Sequence, residues 1–182
     1  TAVGHDALLS NTTGTQNVAV GALALDAGTS HDDNTAIGYQ ALSATTGSYN
    51  TAVGKNAMVN NTTGGLNVAI GVNAMANVTT ANHNVAVGAN TSNQNVTGSH
   101  NTALGSYTLQ ANTTSYNTAI GAYALNLTTT GQNNTGVGYH ALYSNTTGGG
   151  NTAVGRYALY SSTTTAVNTA VGYNALFAST TA

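Results

Sequence analysis

The glycine that closes a Thr-Ala-Val-Gly-like tetrad recurs at Gly4, Gly21, Gly38, Gly54, Gly71, Gly88, Gly105, Gly121, Gly138, Gly155 and Gly172, at intervals of 17 residues with two intervals of 16. So strict a period marks a repeat array, in which each copy is one unit that stacks on the next. The consensus reads Asn-Thr-Ala-Val-Gly-Tyr-x-Ala-Leu-x-x-Asn-Thr-Thr-Gly-x-x. Counting from its leading Asn, position 2 is Thr in eight copies and Val in three, and position 3 is Ala in all but one, where it is Gly136. Position 4 is Val, Ile or Leu throughout. Position 9 is Leu in eight copies, with Met58, Met75 and Ser92 in the other three.

The apolar residues come in two short pieces separated by Gly and closed by Thr-Thr-Gly, not at the three- and four-residue spacing of a helix. Thr, Val and Ile suit strands, and Asn and Gly suit turns. The pattern predicts a strand at Asn-Thr-Ala-Val, a corner at Gly, a second short strand near Ala-Leu, and a polar loop at Asn-Thr-Thr-Gly. One such repeat buries too little to fold alone, because backbone ordering costs more than one Val and one Leu return. The expected fold class is therefore all-β: a parallel β-solenoid (β-roll or β-helix) of eleven coils of about 17 residues. Rungs about 4.7–4.9 Å apart would make it on the order of 50 Å long. Residues 1–182 read as a single array, expected to be cut from a longer fibre because neither end carries an atypical capping copy. Equivalent residues should form ladders: Asn50, Ala52, Val53 and Gly54 in one coil, Asn151, Ala153, Val154 and Gly155 in another. In the sixth repeat Thr91 and Ser92 replace Ala-Leu, which predicts a soft spot.

Strand neighbours point to opposite faces. With Thr and Val of positions 2 and 4 facing in, the Ala of position 3 would face out, and its invariance would mean that something packs flat on it. The expectation is a parallel homotrimer with the Ala column near the shared axis, or copies joined end to end.

Charged residues are 3% of the chain, with two Lys+Arg and four Asp+Glu. Two cations cannot neutralise a nucleic-acid backbone, so no nucleic acid is expected as partner. No apolar run reaches the roughly 20 residues of a membrane span, so no membrane insertion is expected. Neither cofactor nor catalytic residue is expected: no nucleophile with a base and orienter is visible, and the chain reads as no enzyme. The five histidines read as occupying different repeat positions, so no metal is expected. His31-Asp32-Asp33 is the only charged cluster and reads as a solvated loop.

Asn50-Thr51-Ala52-Val53-Gly54, Asn151-Thr152-Ala153-Val154-Gly155 and Ala141-Leu142-Tyr143-Ser144-Asn145-Thr146-Thr147-Gly148 resemble the repeats of phage and environmental tail-fibre proteins, which often precede a self-cleaving chaperone domain. More distantly, the array is similar to the head repeats of trimeric autotransporter adhesins, whose Asn-Ser-Val-Ala-Ile-Gly period is shorter. The resemblance covers the whole chain. It implies a trimeric fibre, extracellular (secreted or on a cell surface) or borne on a virion.

The leading functional expectation is a structural and adhesive fibre shaft. A second is an ice-binding solenoid using Thr ladders, weakened if Thr of position 2 faces inward. A third is a carbohydrate-binding surface: Tyr143, Tyr160 and Phe177 share position 10 in successive coils and could stack on cell-surface glycans, although stacked aromatics can equally reinforce a ladder. Tyr107, Tyr123 and Tyr157 share position 7. Asn11, Asn61, Asn112 and Asn145 begin Asn-x-Thr triplets at one loop position, which makes them candidate glycosylation sites or turn residues capping their own backbone.

Overall fold

The structure, a computed structural model, describes residues 1–178; the last four residues of the array, 179–182, lie outside the described residues. The chain is a parallel β-solenoid. Among the described residues there are eleven strands: β1 (Ala2–Val3), β2 (Val18–Val20), β3 (Thr35–Ile37), β4 (Thr51–Val53), β5 (Val68–Ile70), β6 (Val85–Val87), β7 (Thr102–Leu104), β8 (Thr118–Ile120), β9 (Thr135–Val137), β10 (Thr152–Val154) and β11 (Thr169–Val171). They form one sheet in chain order. Every pairing is parallel and in register, as in Thr51↔Val68, Ala52↔Ala69 and Val53↔Ile70.

Each coil thus contributes one strand, not two. The expected second strand at Ala-Leu is instead a tight run of turns in which positions 7 and 9 have positive φ, for example Asn56 at 56° and Met58 at 52°. A left-handed residue costs roughly 1–2 kcal/mol, whereas burying a Leu or Met side chain returns roughly 1.5–3 kcal/mol. The exchange is favourable because the twist aims position 9 into the coil: Leu25, Leu42, Met58, Met75, Leu109, Leu125, Leu142 and Leu159 are fully buried. The turn run still hydrogen-bonds between coils, with the Leu25 N–H donating to the Ala41 carbonyl (3.1 Å) and the Leu42 N–H to that of Ala57 (3.0 Å).

The predicted facing of the strand is reversed. Ala19, Ala36, Ala52, Ala69, Ala86, Ala119 and Ala153 have no exposed surface, while positions 2 and 4 are half-buried or exposed. The core is thin, and the position-9 side chain reaches across it to the back of the strand. A Cβ at Gly136 would already sit 3.2 Å from Leu125 Cδ1. There is room for one methyl group at position 3 and no more. The invariance of Ala therefore reflects the depth of the coil's own core, and the picture of an Ala column on a trimer axis is overturned.

Gly at position 5 has a separate reason. It lies at φ near +130°, and a Cβ on Gly54 would fall 2.5 Å from the carbonyl oxygen of Gly71 in the next coil. Any side chain there would push successive coils apart.

The Asn column forms as expected, by a bond pattern more complete than side-chain amide stacking. The N–H of Asn34 donates to Oδ1 of Asn17 (3.0 Å), and Nδ2 of Asn34 donates to the Gly47 carbonyl (3.0 Å). The same pair of bonds recurs at Asn50, where the N–H meets Asn34 Oδ1 and Nδ2 meets the Gly64 carbonyl, and at Asn151. Each buried amide thus joins its own loop to the strand start of the coil above. A buried amide without such partners would cost about 1–3 kcal/mol, so the column tolerates Asn alone. The two short repeats omit one residue from the Thr-Thr-Gly loop, around Thr45–Gly47 and Asn112–Thr114, and the strands on either side stay in register.

The apolar core is not continuous. One buried cluster runs from Ala19 to Ala86 and a second from Ala103 to Ala170. Thr91, Ser92 and Thr108 are buried between them. Thr91 and Thr108 donate to the carbonyls of Gly105 and Gly121, but Ser92 Oγ has no partner. This is the break expected at the sixth repeat.

Candidate interaction surfaces

The outer face of the sheet is the most regular surface. Positions 2 and 4 set two parallel columns along it: Thr or Val in the first, Val, Ile or Leu in the second. Val3, Ile37, Ile70, Val85, Ile120, Val154 and Val171 are exposed on this face. Neither column contains a charged residue. Rungs repeat at about 4.7–4.9 Å, and the two columns stand roughly 6.6–6.8 Å apart along each strand. Thr of position 2, expected inside, is outside, where its hydroxyl and methyl meet solvent. The expected inward facing of Thr is reversed by the same core depth that turns Ala in.

A second surface lies beyond the Gly corner in the C-terminal coils. Tyr107 stacks on Tyr123 (ring centroids 5.2 Å, planes 4° apart). Tyr143 stacks on Tyr160 (5.3 Å, 8°), and Tyr160 on Phe177 (5.0 Å, 16°). His140 lies beside the first two rings, 4.7 Å from Tyr143 (12°) and 5.7 Å from Tyr160 (10°). The position-10 ladder therefore exists, but its rings face one another along the solenoid axis. The faces between successive rings are turned to one another and closed to a stacking sugar. The guanidinium of Arg156 lies 4.7 Å above the Tyr157 ring, a cation–π contact. Burial, with the Arg156 charge adding to it, holds the His140 imidazole below its ordinary value.

The loop asparagines are turned the wrong way for modification. Asn61, Asn112 and Asn145 are fully buried. Their Nδ2 atoms donate to the carbonyls of Gly64 (2.9 Å), Thr114 (2.7 Å) and Gly148 (2.9 Å). Asn11 makes the same bond to Gly14 at 3.0 Å, and the Gly14 N–H returns one to Asn11 Oδ1. These are turn-closing side chains. In this fold the Nδ2 atoms are engaged in closing the turn, which favours the turn-residue alternative for these triplets.

The histidines differ from expectation at two places. His83 and His100 are 17 residues apart and do share a position, the last of the repeat. Their rings stack at 4.8 Å, and His100 stacks in turn on Tyr116 at 5.2 Å. The reading that no histidine column forms missed this spacing. His31 is fully buried, with no partner for Nδ1 or Nε2. It takes the place that a position-12 side chain fills elsewhere, since position 12 of its coil is Gly28 and a Cβ there would be 2.8 Å from the imidazole. Desolvation pulls the His31 pKa below its ordinary value, only partly countered by the Asp32 charge. Asp32 stays outside and ties its loop to the coil below, accepting from the Thr15 N–H (2.7 Å) and hydroxyl (2.9 Å); these bonds hold its carboxyl below the usual range. Among the described residues, no group of three or more His, Asp or Glu converges and no surface pocket opens. Nor is any helix long and apolar enough to cross a membrane.

Comparison of the chain with protein-family models, with curated proteins and with solved structures finds no match.

Proposed function

We propose that the chain is a stretch of a structural and adhesive fibre shaft that assembles as a parallel homotrimer outside the cell or on a virion. The observation that carries this reading is the charge-free outer face of the sheet. Its Val, Ile and Leu column runs the length of the solenoid, and its rungs repeat identically, so that two copies in parallel can meet rung for rung. Closed symmetric self-association is the common way to cover such a surface. The Ala column plays no part in the contact; positions 2 and 4 do. The tail-fibre-like repeat supports the same assignment. Light scattering on the purified chain should give about three times the 18.0 kDa of one copy. Placing Lys at Val53, Ile70 and Ile120 should return it to one copy with the β signal intact. A single-copy mass for the unaltered chain at every concentration tested defeats the proposal.

The outward Thr column favours a second reading, ice binding. A flat, uncharged array of alternating hydroxyl and methyl groups at lattice-like spacing can order water into an ice-like layer. The two readings compete for one surface. A single-copy protein with thermal hysteresis that is lost when Thr51, Thr102 and Thr118 become Lys supports ice binding; a trimer without hysteresis supports the shaft.

A further inference from the structure

The chain has ten tyrosines and no cysteine. Most tyrosine neighbours meet edge to face: Tyr123 with Tyr139 at 84°, Tyr139 with Tyr157 at 72°, Tyr157 with Tyr160 at 88°. Two pairs differ. Tyr107 and Tyr123 lie in the seventh and eighth coils, and Tyr143 and Tyr160 in the ninth and tenth. Their planes are within 4° and 8° of parallel, at centroid distances of 5.2 and 5.3 Å. All four residues are half-buried, so each keeps some access to solvent.

We propose that these two pairs are oxidative cross-linking sites, at which an oxidant of the haem-peroxidase class with hydrogen peroxide closes a dityrosine between adjacent coils. Each phenol gives up one electron and its hydroxyl proton, leaving a phenoxyl radical whose spin sits partly on the ring carbons beside the oxygen. Two such carbons, one from each ring, join in a new C–C bond. Their displaced ring protons leave as the oxygens are reprotonated. Each pair loses two hydrogen atoms in all, and one hydrogen peroxide is reduced to two waters. The backbone ladder holds the partners at rung spacing, so coupling within the pair is an intramolecular step between positioned groups. The product clamps coil seven to eight and nine to ten, on the C-terminal side of the core break at Ser92. The site belongs to one chain and stands whether or not three chains associate.

The test oxidises the dilute chain two ways: with a haem peroxidase and peroxide, and with photoactivated tris(bipyridyl)ruthenium and persulfate, a smaller one-electron oxidant. Dityrosine fluorescence should appear on the single-chain band. Peptide mapping should find Tyr107 joined to Tyr123 and Tyr143 to Tyr160, each link two hydrogens lighter. Y123F and Y160F keep the stacked ring and should each remove one link and about half the signal; the double variant should abolish intrachain coupling. Tyr49, Tyr116 and Tyr173 are the most exposed tyrosines, at 60%, 57% and 67%. Links that run mainly between chains through these three overturn the proposal. So does an unchanged yield in the double variant, or the same pairs formed equally well in urea.

Discussion

The coils before and after the sixth share one backbone and are reinforced differently. In the earlier segment the departures from the repeat lie inside: Met58 and Met75 replace Leu, Val78 takes a loop position, and His31 fills the space above Gly28. The outside of that segment has no stacked rings before His83. In the later segment position 9 is Leu throughout, with Leu109, Leu125, Leu142 and Leu159 buried in one column, while Thr108, Gly136, Thr128 and Ser162 depart from the repeat elsewhere inside. What sets that segment apart is outside, a strip of rings from Tyr107 to Phe177. The ladder of strands and Asn side chains is common to both. It sets the architecture, while the fillings around it set how firmly each segment holds. Stability in such a stack is a sum of local terms, so the two segments should open at different free energies.

The largest effect should come from cutting the junction. In Gly88→Ala the new Cβ would lie 2.6 Å from the carbonyl group of Gly105, and the backbone cannot yield cheaply. The expected loss is about 4 kcal/mol, seen as two separated thermal transitions with hydrogen-exchange protection lost first around coils five to seven. Ser92→Leu should do the reverse. It fills the Leu column and removes a buried hydroxyl without a partner, gaining about 2 kcal/mol and merging the transitions into one.

A smaller, pH-dependent difference should separate the segments on the acid side. The His31 pKa is lowered in the fold, so the unfolded chain takes up the proton first as pH falls below 6.5. Stability is full above that value and declines below it. Hydrogen exchange should show the His31 decline in coils one to three; His31→Leu should abolish it there and leave the separate decline that the lowered His140 pKa sets in coils eight to ten. The smallest expected change is at the last position of the repeat. Leu66 sits there at φ 59° and is exposed. Leu66→Asn, the residue at the same place in Asn133, should gain up to about 1 kcal/mol in chemical denaturation by easing left-handed strain. Equal opening of both segments in the unaltered chain would erase the comparison.

The period, the first strand of each repeat, the parallel register and the break in the Leu column at the sixth coil could be read from the residues; the turn run at Ala-Leu, expected as a second strand, could not. Which face of the strand turns inward could not. Alternation at Thr-Ala-Val defines two faces; the choice depends on the depth left by Leu across the coil, and that depth is a property of the closed turn. Left-handed Leu at position 9 was equally hidden, because Leu has no local preference for that conformation and only burial compensates it. The His83–His100 pair was legible from a 17-residue difference. Buried Asn61 and Asn145 match an exposed acceptor triplet letter for letter, and only their bonds to Gly64 and Gly148 tell the two roles apart.

Because the leading Asn of each repeat bonds to its counterpart one rung away, every rung of that column offers its neighbours the same donors and acceptors. A rung can be excised or copied, and the two cut surfaces meet with partners already matched. The length of the array then becomes a heritable dimension, adjustable by unequal exchange between repeated gene segments.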